Sequence, residues 1–302
     1  MFSKIESIEY FLPDKNKFYE KNFQRIYEKT GILNTRIKKK NEDVITLAQK
    51  ACSKLKNKIN NVDGIIFVTQ TPRYLLPSCS CILQDNLKKI RAKNIYTMDI
   101  NMGCSGFNYG LSVADSLIKN KIAKKILLVC SDAYSDYINE NNNNRYLFSD
   151  SASATIICKS KKDKINNFYF YTDGSKHESI IIKKNKKNLL EFSMNGKEVF
   201  GFTLEEIPKH INKYLKKINR VKDYYRKIFF HQASGIILDN LGRKFGKKLI
   251  YKNIKNIGNT TSSSIPISLK IASQKNEIKK GDDLLLCGFG VGMSLSITSI
   301  KF

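Results

Sequence analysis

The chain has 302 residues, 41% of them hydrophobic, and its 53 Lys and Arg against 27 Asp and Glu give a formal net charge of +26. The apolar share is enough for a large core and two domain-sized halves. No stretch approaches 18 uninterrupted apolar residues, and Met1 to Tyr10 alternates like a strand instead of forming a signal-type apolar run, so a soluble, cytoplasmic protein with no membrane span is expected. The surplus of positive charge points to nucleic acid or an acidic partner, but the lysine clusters at 37–40, 160–164, 183–187 and 247–255 come with no recognition-helix, RRM or zinc-finger pattern. The charge is read as lysine spread over the whole surface, with no nucleic-acid partner; a general attraction for phosphates and acidic partners is compatible with it. The seven cysteines (52, 79, 81, 104, 130, 158 and 287) are odd in number, form no CxxC pair and fall mostly inside apolar runs. That argues against a disulfide framework and against a metal site.

In chain order, helical periodicity at 18–29 and 43–59 is followed by the apolar run Ile65–Val68, a helical pattern at 78–88 and a strand at Ile95–Ile100. A long helical pattern at 104–120 leads to the run Ile126–Cys130, a polar loop at Asn139–Arg145 and the run Ala154–Cys158. After a charged break near 160–165 come a lysine-rich link at Lys183–Asn188, helical patterns at 198–217, 235–246 and 265–279, and the runs Ile228–Phe230 and Leu284–Cys287. Short continuous apolar runs are strands buried on both faces, and their alternation with helices predicts an α/β fold with largely parallel sheets. The break divides the chain into halves, 1–160 and 161–302, each with an apolar strand, a turn and a long helix, which suggests a duplicated architecture.

Four segments carry chemistry. Cys104 sits at the turn between the strand Ile95–Ile100 and the helix from 104, where unpaired N–H groups and the positive dipole end favour a thiolate. Gly103 and Gly106 let backbone approach on both sides. By itself such a cysteine is more often a small buried hydrophobe. His231 follows the strand Ile228–Phe230, the place where open α/β sheets hold their sites; His177 in a polar turn and His210 on an amphipathic helix are less well placed. Asn259, after Gly258 and before a helix with Pro266 in its first turn, is either a turn residue or a neutral donor. The glycines of Cys287-Gly-Phe-Gly-Val-Gly-Met-Ser294 bring backbone N–H groups toward a reacting carbonyl but lack the helix a dinucleotide fingerprint needs.

Together Cys104, His231 and Asn259 resemble the Cys-His-Asn set of the β-ketoacyl-acyl-carrier-protein synthase III family, in the thiolase superfamily. The resemblance runs along nearly the whole chain: Thr30-Gly-Ile32 with Arg36, Leu76-Pro-Ser-Cys-Ser-Cys-Ile-Leu-Gln84, Asp99 to Asp115, Phe148-Ser-Asp150, Met194-Asn-Gly-Lys-Glu-Val-Phe200, His231-Gln-Ala, Gly258-Asn-Thr and Gly288-Phe-Gly. It implies a thiolase-like five-layer α-β-α-β-α fold from two duplicated halves, a homodimer, and no tightly bound cofactor, with a coenzyme A thioester as substrate. It implies that Cys104 takes an acyl group from acyl-CoA, that the backbone N–H groups of Cys104 and Val291 form an oxyanion hole, and that His231 and Asn259 stabilise the enolate from a malonyl-acyl-carrier protein. Arg25, Arg36, Leu76, Gly196 and Phe200 match CoA- or substrate-binding positions, and Arg243 and Lys244 match a carrier-protein docking face.

The chain departs from the family in having no Trp, with Arg25 near the place of an adenine-stacking Trp, in Leu76 where an aromatic is frequent, and in Ile236 where a docking Arg is usual. These departures fit a specialised member with an unusual acyl group. Two other readings stay open: a thiolase-fold acyltransferase making an ester or amide, and an inactive basic scaffold. Asn259 in place of an acid argues against the first, and the intact triad against the second.

Overall fold

The computed structural model describes residues 1–17, 23–87, 90, 94–139 and 141–302. Residues 2–160 build one five-stranded sheet. Its strands are β1 (Phe2–Phe11), β4 (Gly64–Val68), β5 (Tyr96–Ile100), β6 (Lys125–Asp132) and β7 (Ser151–Ser160), and a small ribbon of β2 (Lys15–Lys17) and β3 (Asn34–Arg36) stands apart. The order is β1-β7-β6-β4-β5, with β4, β5 and β6 parallel and β1 and β7 antiparallel to their neighbours. Residues 165–301 build a second sheet from β8 (Ile165–Thr172), β11 (Lys227–Phe230), β12 (Asp283–Gly290) and β13 (Ser294–Lys301), in the order β8-β13-β12-β11. Its pairings repeat those of the first: two antiparallel, then one parallel. The fifth strand shrinks to one parallel bridge, Ile228 to Ile250. The hairpin of β9 (Ile180–Lys184) and β10 (Leu190–Met194) is an addition to this repeat, and the lysine-rich link is its turn.

Among the described residues seven α-helices complete the layers: α1 (Phe23–Thr30), α2 (Val44–Ser53), α3 (Cys79–Asn86), α4 (Gly106–Lys119), α5 (Gly196–Lys217), α6 (Gly235–Phe245) and α7 (Ser264–Gln274). Side chains alternate across each strand, so every central strand serves two cores. Ile66, Val68, Ile126 and Leu128 of the first sheet and Phe229, Leu284 and Leu286 of the second face inward onto Phe107, Leu111 and Ala114 of α4 and Ile265 and Leu269 of α7. Their neighbours Ile65, Phe67, Leu127 and Val129 face outward onto α2 and α3. Ile228, Phe230, Leu285 and Cys287 face outward onto α5 and α6. The result is five layers, α-β-α-β-α. Continuous apolar runs are required because both faces of each central strand are covered, each buried Leu or Ile stabilising by roughly 1.5–3 kcal/mol.

Helix bounds follow local chemistry. Asp43 caps α2 in a reciprocal box with Thr46. The periodicity of 43–59 overshoots, since α2 stops at Ser53 and Lys56–Ile59 form a separate 3-10 turn. α7 stops at Gln274, short of 279, where Asn276 takes the left-handed φ of +58° that ends helices. The part of the 18–29 pattern at 18–22 lies outside the described residues. All seven cysteines are unpaired.

Candidate active site

The functional segments meet at the C-terminal ends of the parallel strands. β5 ends at Ile100, and Gly103–Ser105 form a single 3-10 turn that feeds α4. Gly103 has φ +45°, and a Cβ there would collide with the Gln70 amide, so a glycine is required. Cys104, in the middle of the turn, is 6% exposed. Burial pushes its thiol pKa up, and the nearby negative charge of Asp132 adds to the shift. The helix start therefore does not by itself yield a thiolate in the resting protein; desolvation outweighs it.

His231 follows β11, its backbone N–H donating to Cys287 O at 2.9 Å, and Ser234 then caps α6 by accepting from Ile237 N at 3.4 Å. The imidazole is buried, stands edge-on to the Phe289 ring at 5.4 Å, and has no hydrogen-bond partner at Nδ1. Burial pushes its pKa down to about 3, against a weaker opposing effect of the Thr261 backbone. At neutral pH it is an uncharged ring, with one nitrogen to accept and one N–H to donate.

Asn259 is held by backbone on both sides, donating from N to Leu147 O at 2.9 Å and accepting at O from Ser149 N at 2.8 Å. Gly258 before it has φ +76° and leaves no room for a Cβ beside Ser149 Oγ. The side-chain Oδ1 of Asn259 accepts from Thr261 N at 2.9 Å, which turns Nδ2 the other way, with one long contact of 3.4 Å to Ala233 O. The amide oxygen is thus engaged, and Nδ2 is left as a donor with only that long contact at the cavity the residue lines.

Cys104, His231 and Asn259 line one cavity of about 780 Å³ together with Val291, Gly196 and Phe200. Gly290 closes the wall behind Cys104. A Cβ on it would stand 2.9 Å from Cys104 Cβ and 3.1 Å from Sγ, so β12 can approach the thiol only as bare backbone. Other expected residues lie elsewhere. Leu76 is 87% exposed in the loop before α3, beside Leu75 at 95% and Tyr74 at 55%. Arg36 spends its guanidinium on the carbonyls of Asn256 and Pro13 at 3.0–3.2 Å. Arg243 and Lys244 stand exposed in the last turn of α6, bonded to Asn240 Oδ1 and Leu204 O. The Arg25 side chain lies outside the described residues. Ile236, 45% exposed, sits at the cavity wall with Lys29 and Lys197.

Two residues went unread in sequence. Tyr134 lines the cavity, stacks on Phe148 at 5.0 Å and donates from Oη to Gln70 Oε1 at 2.6 Å. Asp132, fully buried, ends β6 and binds the turn after Asn259. The signal for Asp132 was present: a carboxylate directly after a buried apolar strand at the sheet edge that carries the site.

Comparison with known proteins agrees with this geometry. The model of the 3-oxoacyl-(acyl-carrier-protein) synthase III family matches residues 98–174, and that of the family's C-terminal domain matches 215–302. The chain is 34% identical to the beta-ketoacyl-(acyl-carrier-protein) synthase III of Clostridium tetani over 96% of this chain and 93% of that one. A crystal structure of a 3-oxoacyl-(acyl-carrier-protein) synthase III superposes with a TM-score of 0.91 at 29% identity over the full length of both chains. That of Aquifex aeolicus gives 0.89 at 28% identity, covering 99% of this chain and all of the other. With these likenesses over nearly its whole length, the chain belongs to the 3-oxoacyl-(acyl-carrier-protein) synthase III family and has its thiolase-like fold.

Proposed function

We propose that this acyltransferase of the β-ketoacyl-acyl-carrier-protein synthase III type works through Cys104, His231 and Asn259. Cys104 Sγ attacks the carbonyl of an acyl-CoA thioester, His231 takes the thiol proton, and coenzyme A leaves as the thiol, which leaves the acyl group on Cys104. The N–H groups of Cys104 and Val291 face the tetrahedral oxyanion. A malonyl thioester on the carrier protein then loses carbon dioxide. His231 and Asn259 donate to the enolate oxygen, and the enolate carbon attacks the acyl-Cys104 carbonyl, releasing the Cys104 thiolate. The observation that carries this reading is the orientation of Asn259. With Oδ1 held by Thr261 N, the amide has its N–H donors to give to a cavity it shares with the thiol and a neutral imidazole. A base-orienting acid, which transfer to an alcohol or amine would use, is absent from that place.

Gly196 and Phe200 line the arm of the cavity that would hold the pantetheine chain, and Arg25 and Arg36 are proposed for the nucleotide end. Arg243 and Lys244 are proposed to meet the acidic carrier. No tightly bound cofactor is needed for these steps. Among the described residues no helix is long and apolar enough to cross a membrane, and a cytoplasmic setting is proposed. A homodimer is proposed on two features: β5 is an unpaired sheet edge, and the exposed run Tyr74-Leu75-Leu76 lies on the same half. Leu75→Lys with Leu76→Lys is expected to give a monomer in sedimentation.

Mass spectrometry of the intact protein after exposure to a panel of acyl-CoAs, with carbon dioxide release from malonyl-carrier protein, tests the mechanism. Cys104→Ala is expected to abolish acylation. His231→Ala and Asn259→Ala are expected to leave acylation detectable, slowed where His231 no longer takes the thiol proton, and to remove decarboxylation. Undiminished condensation by the Cys104 variant sinks the mechanism.

A further inference from the structure

Asp132 is fully buried at the end of β6, and every group that reaches its carboxylate is a donor. Oδ1 accepts from Gln70 N at 2.8 Å and Thr69 Oγ1 at 3.4 Å, both just past β4. Oδ2 accepts from Thr261 Oγ1 at 2.6 Å, Ser262 N at 3.3 Å and Ser262 Oγ, all in the 3-10 turn that starts α7. The two backbone N–H groups settle the chemistry. They can only donate, and they address different oxygens, so an amide at this position must present N–H to one of them. The site calls for a carboxylate.

That carboxylate reaches Asn259 through Thr261. Thr261 has φ +46°, a region that a β-branched residue rarely enters, and its hydroxyl is bonded to Asp132. In that conformation the Thr261 N–H points at Asn259 Oδ1. We propose that Asp132 is a positioning residue of the condensation step, holding Thr261 and Ser262 so that the Asn259 amide keeps its donor turned into the cavity. This rests on the reading of Asn259 given above. Asp132 acts on the thiol as well. Of the titratable groups facing Cys104, Tyr134 from the loop after β6 and His231 from the loop after β11 are neutral, and the negative charge comes from Asp132. Removing it leaves a more acidic thiol.

The test compares wild type and Asp132→Asn in the full chain, measuring acylation of Cys104 by acetyl-CoA, carbon dioxide release from malonyl-carrier protein, and the pH dependence of Cys104 alkylation by iodoacetamide. Acylation is expected to stay within about 3-fold. Decarboxylation is expected to fall about 100-fold, the usual loss for one displaced oxyanion donor, and the alkylation profile to move to lower pH. If Asp132→Asn does not fold, Thr261→Ala keeps the carboxylate and removes one anchor, with decarboxylation expected to drop about 10-fold at unchanged acylation. Equal losses in both half-reactions with an unmoved alkylation profile, or decarboxylation that survives both variants, overturn the assignment. A wild-type enzyme that acylates but releases no carbon dioxide overturns the reading of Asn259 itself.

Discussion

In the N-terminal half a left-handed residue, Gly103 at φ +45°, leads through the 3-10 turn Gly103–Ser105 into the buried helix α4. In the C-terminal half Thr261, at φ +46°, leads through the 3-10 turn Thr261–Ser263 into the buried helix α7. The two turns occupy corresponding places in the repeat, and they pack against each other. Cys104 in one therefore corresponds to Ser262 in the other. Each turn is met by the end of a strand from the opposite half: Cys104 by Gly290 of β12, Ser262 by Asp132 of β6. The glycine takes everything away from the thiol and leaves it facing the cavity. The carboxylate ties the hydroxyl down and makes the turn a rigid mount for Asn259. On the proposed mechanism, one scaffold, used twice, yields a reactive group where the opposing strand end is empty and a fixed donor where it is charged.

The largest effect that would sharpen this contrast concerns His231, the ring that shares the cavity with both turns. It titrates at about 3 in the folded chain, against an ordinary value near 6.5 in the unfolded one. The unfolded chain thus binds the proton first as pH falls. The stabilising effect of the neutral ring is whole above about pH 6.5 and is lost toward pH 3, amounting to about 3 kcal/mol between pH 7 and 4. Urea denaturation across that range measures it, and His231→Gln is expected to flatten the profile. A wild-type stability independent of pH there would show that the ring is not buried neutral.

Gly290→Ala tests the emptiness around the thiol directly. The new methyl meets Cys104 Cβ and Sγ, and acylation is expected to fall about 100-fold, the scale of an ångström-sized misplacement of reacting groups. Normal acylation in this variant would break the comparison. On the other turn, Ser262→Ala removes one hydroxyl from Asp132 and is expected to cost about 1–2 kcal/mol in thermal or chemical unfolding while acylation of Cys104 persists. Gly103→Ala strains a left-handed residue and presses on Gln70; a cost of about 1–2 kcal/mol, larger if Gln70 cannot move, is expected in the same assay. The smallest effect is expected at Arg243→Ala, within about 0.5 kcal/mol in stability because the side chain is exposed. If Arg243 meets the carrier, that variant instead raises the KM for malonyl-carrier protein without changing acylation by acyl-CoA.

Much of this protein was decided along the chain. The apolar runs Ile65–Val68, Ile126–Cys130, Ile228–Phe230 and Leu284–Cys287 read as strands covered on both faces, since short continuous apolar runs between polar turns leave no side chain for a solvated face. Cys104 and His231 could be picked as candidates because each stands at a strand-to-helix junction, but Asn259 by itself read as either a turn residue or a donor, and it was the resemblance to a known family that joined the three. The edge strand β8, the inner strand β13 and the hairpin β9–β10 were not picked out as separate strands; β8 and β13 are polar and apolar by turns, and their pairing joins segments far apart in sequence. Only the tertiary structure decided what the junction residues do. Asp132 is one acid among 27 acidic residues until Gln70 and Ser262 close on it from opposite halves. The direction of the Asn259 amide is fixed by Thr261, two residues away in sequence but held by Asp132 from 129 residues off. The state of the thiol, too, depended on burial and on that charge rather than on its helix start. A helix terminus is a local property, whereas desolvation and Coulomb interactions sum over everything the fold brings near, and the latter prevail.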